Sequence, residues 1–469
     1  MKLRTIAVGL AGTMILSVPL CIIAGGPEDI VFTPFGDAYL QVGQIANGWY
    51  QNPGAPAIQI YNMWQQQAYA HVGYDALIDK RLDINISVGG SLVYSSPQII
   101  ATNDFPTSQS QMQFLINSAY ASYPLIEGSH LFSLTLQGGY FPYKYNPDVR
   151  NLGEYLFRTN TYPLVVYSSF DYPQVRMLGA RVGMQALDST ITDDVLLHSE
   201  VLGMPDQDWS IGDIFNVHLF HMLNIGGGVD FTHLLSVYQG PYDPSSIEWY
   251  NYYYNLTSSN ATKANAVVTD IITNPNGTKD TVSDTLGWRS VKLMGRFSFD
   301  PKNALKNLFD CDIFGKDDFK LYGEADIIGV KDYPKFAEFE NRNMRTLFSC
   351  GFNIPTFKIL DVANVEMEYN ADTTSAFSDQ GLIDASAGTG PSLFPVSLDL
   401  PGAVLRNPWR WSIYLKKSVY NGHVSFIAQA ARDHTKINFN YWDAVYESYM
   451  ETLPTSSDWM WAFKTEVKF

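Results

Sequence analysis

From about residue 37 to its last residue the chain alternates apolar and polar side chains two by two, and nothing else narrows its fold as much. Successive side chains of a strand point to opposite faces, so a period of two reads as strand and not as helix. Leu82, Ile84, Ile86 and Val88 oppose Asp83, Asn85 and Ser87. Val291, Leu293, Phe297 and Phe299 oppose Ser290, Lys292, Arg296 and Ser298. The final stretch, WMWAFKTEVKF, sets Trp459, Trp461, Phe463, Thr465, Val467 and Phe469 against Met460, Ala462, Lys464, Glu466 and Lys468. A soluble sheet would turn such an aromatic face to a core. A membrane barrel turns it to lipid and the charged face to a wet lumen, and every strand must then pair on both sides.

The pattern predicts sixteen strands, over 37–50, 60–78, 82–95, 110–123, 130–144, 175–187, 192–204, 209–221, 223–238, 286–300, 317–330, 343–354, 361–371, 408–419, 422–434 and 459–469. The connections offer an independent check. With both chain ends on the inner side, the inner turns are short apart from 301–316, and Asn421-Gly422 marks one of them as a tight hairpin. Most outer loops are long: 96–109, 145–174, 239–285, 372–407 and 435–458 among them. The expected fold class is therefore all-β: a transmembrane antiparallel up-and-down barrel of about 16 strands, with 14 to 18 allowed.

Residues 1–26 read as a secretory signal: Lys2 and Arg4, an apolar run over 5–23, then Ala24, Gly25 and Gly26. A single transmembrane anchor is the other reading of that run. Cys21 raises a lipid attachment, which Val18, Pro19 and Leu20 before it argue against. Residues 27–36 are expected to be a short periplasmic lead-in and 37–469 a single barrel. The formal charge of −16 makes nucleic acid an unsuitable partner. Aromatic residues make up 14% of the chain, and such rings suit a membrane–water interface, although an aromatic-rich secreted β-protein shares that composition. Beyond the signal no apolar run is long enough for a spanning helix. Cys311 and Cys350 leave a disulfide open.

The terminal strand resembles the C-terminal assembly signal of Gram-negative outer-membrane barrels. Trp461, Phe463, Val467 and Phe469 match that pattern and Thr465 fits it less well. The segment GGYFPYKYNPDVRNLGEYLFRTNTYP, residues 138–163, is similar to one in porin-like outer-membrane proteins that mostly lack an assigned role. The resemblance implies outer-membrane lipid and the barrel-assembly machinery as partners, allows a homotrimer, and brings no catalytic pattern.

By analogy with sixteen-stranded general porins, the third outer loop, 145–174, is a candidate to fold into the lumen. Lys144, Asp148, Arg150, Glu154 and Arg158 would then set a mixed-charge constriction, with Glu154 and Arg158 facing one another across a helical turn over 151–158. The other reading is a loop over the mouth with solvated charges. Alternation places Arg181, Lys292, Arg296, Lys320, Arg345, Arg410, Lys416 and Lys464 on the lumen side. Asp75, Asp83, Asp230, Glu324, Asp326, Glu366 and Glu368 share that side, where neighbouring strands could also pair the charges off.

Signals for an enzyme are thin: there is no His-Glu-x-x-His, no Gly-x-Ser-x-Gly and no phosphate-cradling glycine loop, and no cofactor is expected. Gly226-Gly227-Gly228 lies within a predicted strand and reads as a relief of crowding. Trp249 to Tyr254 could stack on sugars or simply pack a long loop. Three functions stay open. They are passive diffusion of small hydrophilic solutes, a plugged surface protein binding polysaccharide or a partner through its long loops, and a barrel enzyme.

Overall fold

The computed structural model describes residues 30–50, 58–96, 109–127, 131–157, 175–199, 209–220, 222–235, 261–262, 265–273, 279–287, 290–302, 313–331, 342–370, 407–435 and 452–469. The signal, Arg158, Trp249–Tyr254 and Cys311 lie outside them. Nineteen strands are formed: β1 Ile30–Tyr50, β2 Ile58–Ile78, β3 Leu82–Ser96, β4 Gln109–Ile126, β5 Phe132–Tyr143, β6 Val175–Ala186, β7 Ile191–Ser199, β8 Trp209–Leu219, β9 Leu223–Leu235, β10 Ala261–Thr262, β11 Asn265–Thr273, β12 Lys279–Gly287, β13 Ser290–Phe299, β14 Leu321–Lys331, β15 Thr346–Asn353, β16 Val362–Asn370, β17 Trp409–Val419, β18 Val424–Arg432 and β19 Trp459–Lys468. Sixteen of them close an antiparallel barrel in chain order, β13 pairing with β9; β10–β12 form a separate three-stranded sheet. No helix among the described residues is long and apolar enough to cross a membrane.

All sixteen expected strands are present, with four differences, one being that the strand expected from 343 starts at Thr346 after a 3-10 turn over Arg342–Arg345. The lead-in expected over 27–36 is, from Ile30 on, part of β1, because Ile30–Gly36 pair with Ile78–Val72 of β2. The strand expected from 317 starts only at Leu321, since Phe319 at φ +61° turns the chain just before it. The strand expected over 286–300 starts at Ser290, and 279–287 belongs instead to the small sheet that sequence reading missed.

The short inner turns explain themselves. Asp79 and Lys80, Leu187 to Ser189, Phe220, and Tyr420 with Asn421 all take positive φ, the backbone whose twist matches a tight hairpin. On the wall, outward side chains such as Phe348, Ile413 and Phe463 are exposed, while their neighbours Leu347, Ser412 and Ala462 are buried on the lumen side. Asp193 and Asp213 break the outward apolar band, one register step apart on β7 and β8 beside Val195 and Phe215. A carboxylate is costly against hydrocarbon, so this arc is the part of the wall least suited to lipid.

Closure depends on the chain's last residue. Gly36 and Phe469 exchange both main-chain hydrogen bonds at 3.0 Å. The next donor on that edge of β1 would come from residue 34. It is a proline and has no N–H to offer.

At the inner end, Asp318 joins two turns. Its carboxylate accepts from the amides of Gly315 (2.7 Å), Thr356 (3.1 Å) and Phe357 (3.1 Å) and from the Thr356 hydroxyl (3.0 Å). Burial alone would raise this carboxyl, but the four donors outweigh burial and hold it below the usual aspartate value. With a folded value below the unfolded one, the tie is fully present above the ordinary aspartate range and is lost as pH falls through the folded value. Asp318→Asn is expected to cost about 1–3 kcal/mol at neutral pH and to cost little once both forms are uncharged. Urea midpoints of the refolded barrel at about pH 7 and about pH 2.5 check this; equal losses at both would refute it.

Candidate functional site

β5 ends at Tyr143, and the chain then turns inward and crosses the lumen. Residues 145–157 lie along the wall from β16 and β14 through β13 back to β8 and β7, with Tyr145, Val149, Leu152, Tyr155, Leu156 and Phe157 all buried. Leu156 and Phe157 join Phe141, Tyr143, Met177, Leu196, Ile214 and Met294 in one apolar cluster. Room for them comes from two glycines of the wall. A Cβ at Gly212 would stand 2.8 Å from the Phe157 ring, and one at Gly228 would stand 2.9 Å from Leu156. The glycine run read as a relief of crowding thus has an identified neighbour.

Main-chain groups hold the loop. The Glu366 carboxylate of β16 accepts from the amides of Arg150 (2.6 Å), Asn151 (2.7 Å) and Leu152 (2.9 Å). Glu324 of β14 accepts from the Tyr155 amide at 2.9 Å and the Tyr145 hydroxyl at 2.7 Å. Glu368 bonds the Tyr155 hydroxyl and lies 2.8 Å from His434 and 3.4 Å from Arg410. The expected helical turn over 151–158 does not form in the described part, because these amides bond to wall carboxylates instead of to carbonyls one turn back. Gly153 at φ +129° and Glu154 at φ +65° are incompatible with it.

The candidate constriction residues separate. Asp148 meets Lys320 at 3.0 Å and Ser298 at 2.6 Å; Lys320 meets Asp317 at 2.9 Å, and Asp317 meets Arg150 at 3.7 Å. This alternating row lies at the inner end, between the loop and the turn before β14. Glu154 is not in it: its side chain accepts the Asn146 amide at 2.7 Å and is buried. Lys144 folds back to the Val149 carbonyl at 2.7 Å. Asp317 was missed, although the charge run Lys316-Asp317-Asp318-Phe319-Lys320 was there to be read.

Of the residues expected to line the lumen, several are buried beneath the loop, while Lys320 precedes β14 and Arg345 ends the short 3-10 turn before β15. Lys292, Asp326, Glu366, Glu368 and Arg410 are at most 1% exposed. Lys292 donates to the Leu156 carbonyl at 3.1 Å. Arg296 bonds Asn216, and Arg345 bonds the Gly329 carbonyl. Arg181 pairs with Asp194 at 2.8 Å, and Lys416 is half-buried. Among the described residues no group of three His, Cys, Asp or Glu is placed to hold a metal ion.

No protein-family model matches the chain, and no curated protein does. Solved structures do. A mutant of Rhodopseudomonas blastica porin aligns over 94% of this chain and 100% of its own, at 6% identity and a TM-score of 0.37. Salmonella typhi OmpF in complex with daunomycin aligns over 93% and 97%, at 9% identity and a TM-score of 0.39. OmpT of Vibrio cholerae, in a trimer form, aligns over 94% and 100%, at 8% identity and a TM-score of 0.38. Likeness at this level carries no function across, and the strand order stands on its own.

Proposed function

We propose that the chain is an outer-membrane porin-like channel of a Gram-negative bacterium, passing small hydrophilic solutes by passive diffusion without a reaction. One observation carries the reading. The barrel is closed, apolar outside and polar inside, and the described part of its inserted loop is held along part of the wall, by hydrogen bonds to β13, β14 and β16 and by apolar packing against β7 and β8. That supports a lumen narrowed by the loop. The charge row Asp148–Lys320–Asp317–Arg150 would form the narrow part, and its balance of signs supports weak ion selectivity. Lipid and the assembly machinery are the partners this reading implies, and a homotrimer is compatible with it.

Conductance of the refolded protein across a planar bilayer tests the reading, set beside a variant lacking residues 148–160. Steady ohmic steps, larger after the deletion, are the expected result. Silence from the intact protein with steps after deletion would favour a plugged barrel that binds ligands through its outer loops. Silence from both, with folding confirmed, would end the channel reading.

A further inference from the structure

The wall formed by β18, β19, β1 and β2 bears a group of buried amides with atoms left unmatched among the described residues. Gln429, Ala462, Gly43 and Gln65 occupy one register row across these four strands. Gln65 and Gln429 are 1% and 7% exposed, yet neither the oxygen nor the nitrogen of either amide meets a partner among the described residues. Gln41, one step along β1, is buried with its amide nitrogen likewise unmatched. Gln67 on the same strand bonds Ser91 at 3.1 Å, while Asn117 of β4 is another buried amide with both atoms unmatched; what sets these glutamines apart is that they share one stretch of wall. An unmatched buried amide costs about 1–3 kcal/mol, so three together form a costly row that a bound partner would relieve.

We propose that this row is a binding site for a neutral saccharide on its way through the channel; the proposal rests on the channel reading above. The chemistry selects the class. Each amide offers a donor and an acceptor, and so does each sugar hydroxyl. Gln65 and Gln429 are three strand spacings apart, roughly 14 Å, with only the small Ala462 and Gly43 between them, a span suited to two or three sugar rings. Two same-face steps along β1 and β2, Tyr39 and Tyr69 are buried and stack on one another at 5.1 Å, closing that side of the row. Lys464 of β19 stands directly across from Gln41 with its ammonium turned to the Tyr39 ring, 4.9 Å from its centre, and the amides of the row carry no charge of their own.

The test uses raffinose, with polyethylene glycol of equal hydrodynamic radius as a probe of simple obstruction. In bilayers, raffinose is expected to halve the current of the intact protein at a concentration at least tenfold below that of the polymer. Gln65→Leu with Gln429→Leu conserves volume and removes the unmatched groups. This variant is expected to fold, to keep its salt conductance and to lose the tenfold difference. Equal block by both probes in the intact protein, or an unchanged difference in the variant, would overturn the site. Absence of any current would refute the channel reading instead. Raffinose should then still raise the thermal midpoint of the intact protein in detergent and not that of the variant, and no rise in the intact protein would overturn the site too.

Discussion

Glu366→Gln is expected to free the inserted loop and raise single-channel conductance severalfold. The carboxylate is wholly buried and accepts three consecutive main-chain amides as well as the Tyr322 hydroxyl. An amide side chain has one oxygen, and its NH2 would face at least one N–H head-on. Charge-assisted bonds contribute about 1.5–3 kcal/mol each and neutral ones about 0.5–1.5, so losing one of the three and the charge behind the other two removes roughly 3–6 kcal/mol of docking. That exceeds what Glu324 and its two donors can plausibly replace. Chymotrypsin cutting near Tyr155–Phe157 should accelerate in step with the rise in conductance. A variant with the parental conductance and the parental cleavage rate would show that the carboxylate does not latch the loop.

Gly36→Val is expected to reduce the yield of heat-resistant, closed barrel more than tenfold. A Cβ at this position would stand 2.6 Å from the His71 carbonyl oxygen and 2.7 Å from the Phe469 ring. The ring can swing away, but the carbonyl belongs to β2 and cannot. Relief requires β1 to part from β2 or β19, a strain of about 3 kcal/mol or more at the seam. Phe469→Ala separates two roles of the last residue. It keeps both main-chain bonds to Gly36, so it should still refold from urea with detergent, while insertion in cells falls if the terminal strand is an assembly signal. Heat-modified gel mobility reads both variants. Normal closure of the glycine variant would contradict the seam described here, and normal insertion of the alanine variant would remove Phe469 from the assembly signal.

The barrel wall was legible because alternation and loop length are local properties that the chain repeats sixteen times. The interior was legible only by side. Alternation puts Lys292 and Glu366 on one face of their strands but says nothing of their partners, which are 136 and 214 to 216 residues away, beyond any spacing rule. Glu154 illustrates the cost. A Glu four residues before an Arg reads as a helical pair, yet its backbone is left-handed and its carboxylate caps Asn146. The short β10–β12 sheet was missed for a different reason: Asn265–Thr273 and Lys279–Gly287 carry polar residues on both faces and so give no period-two contrast. The amide row has no sequence signature, since Gln41, Gln65 and Gln429 come together only through register across the β1–β19 seam.

Anchorage of the loop through its peptide groups has a consequence for how such a chain can vary. Arg150, Asn151 and Leu152 present the same N–H to Glu366 whatever side chains they bear, provided none is proline. Descendants can therefore exchange side chains along the loop while its attachment point is inherited intact. Under the channel reading proposed above, what the loop presents to the lumen and how it is mounted are separable traits, and a change in the first need not pass through an unanchored intermediate.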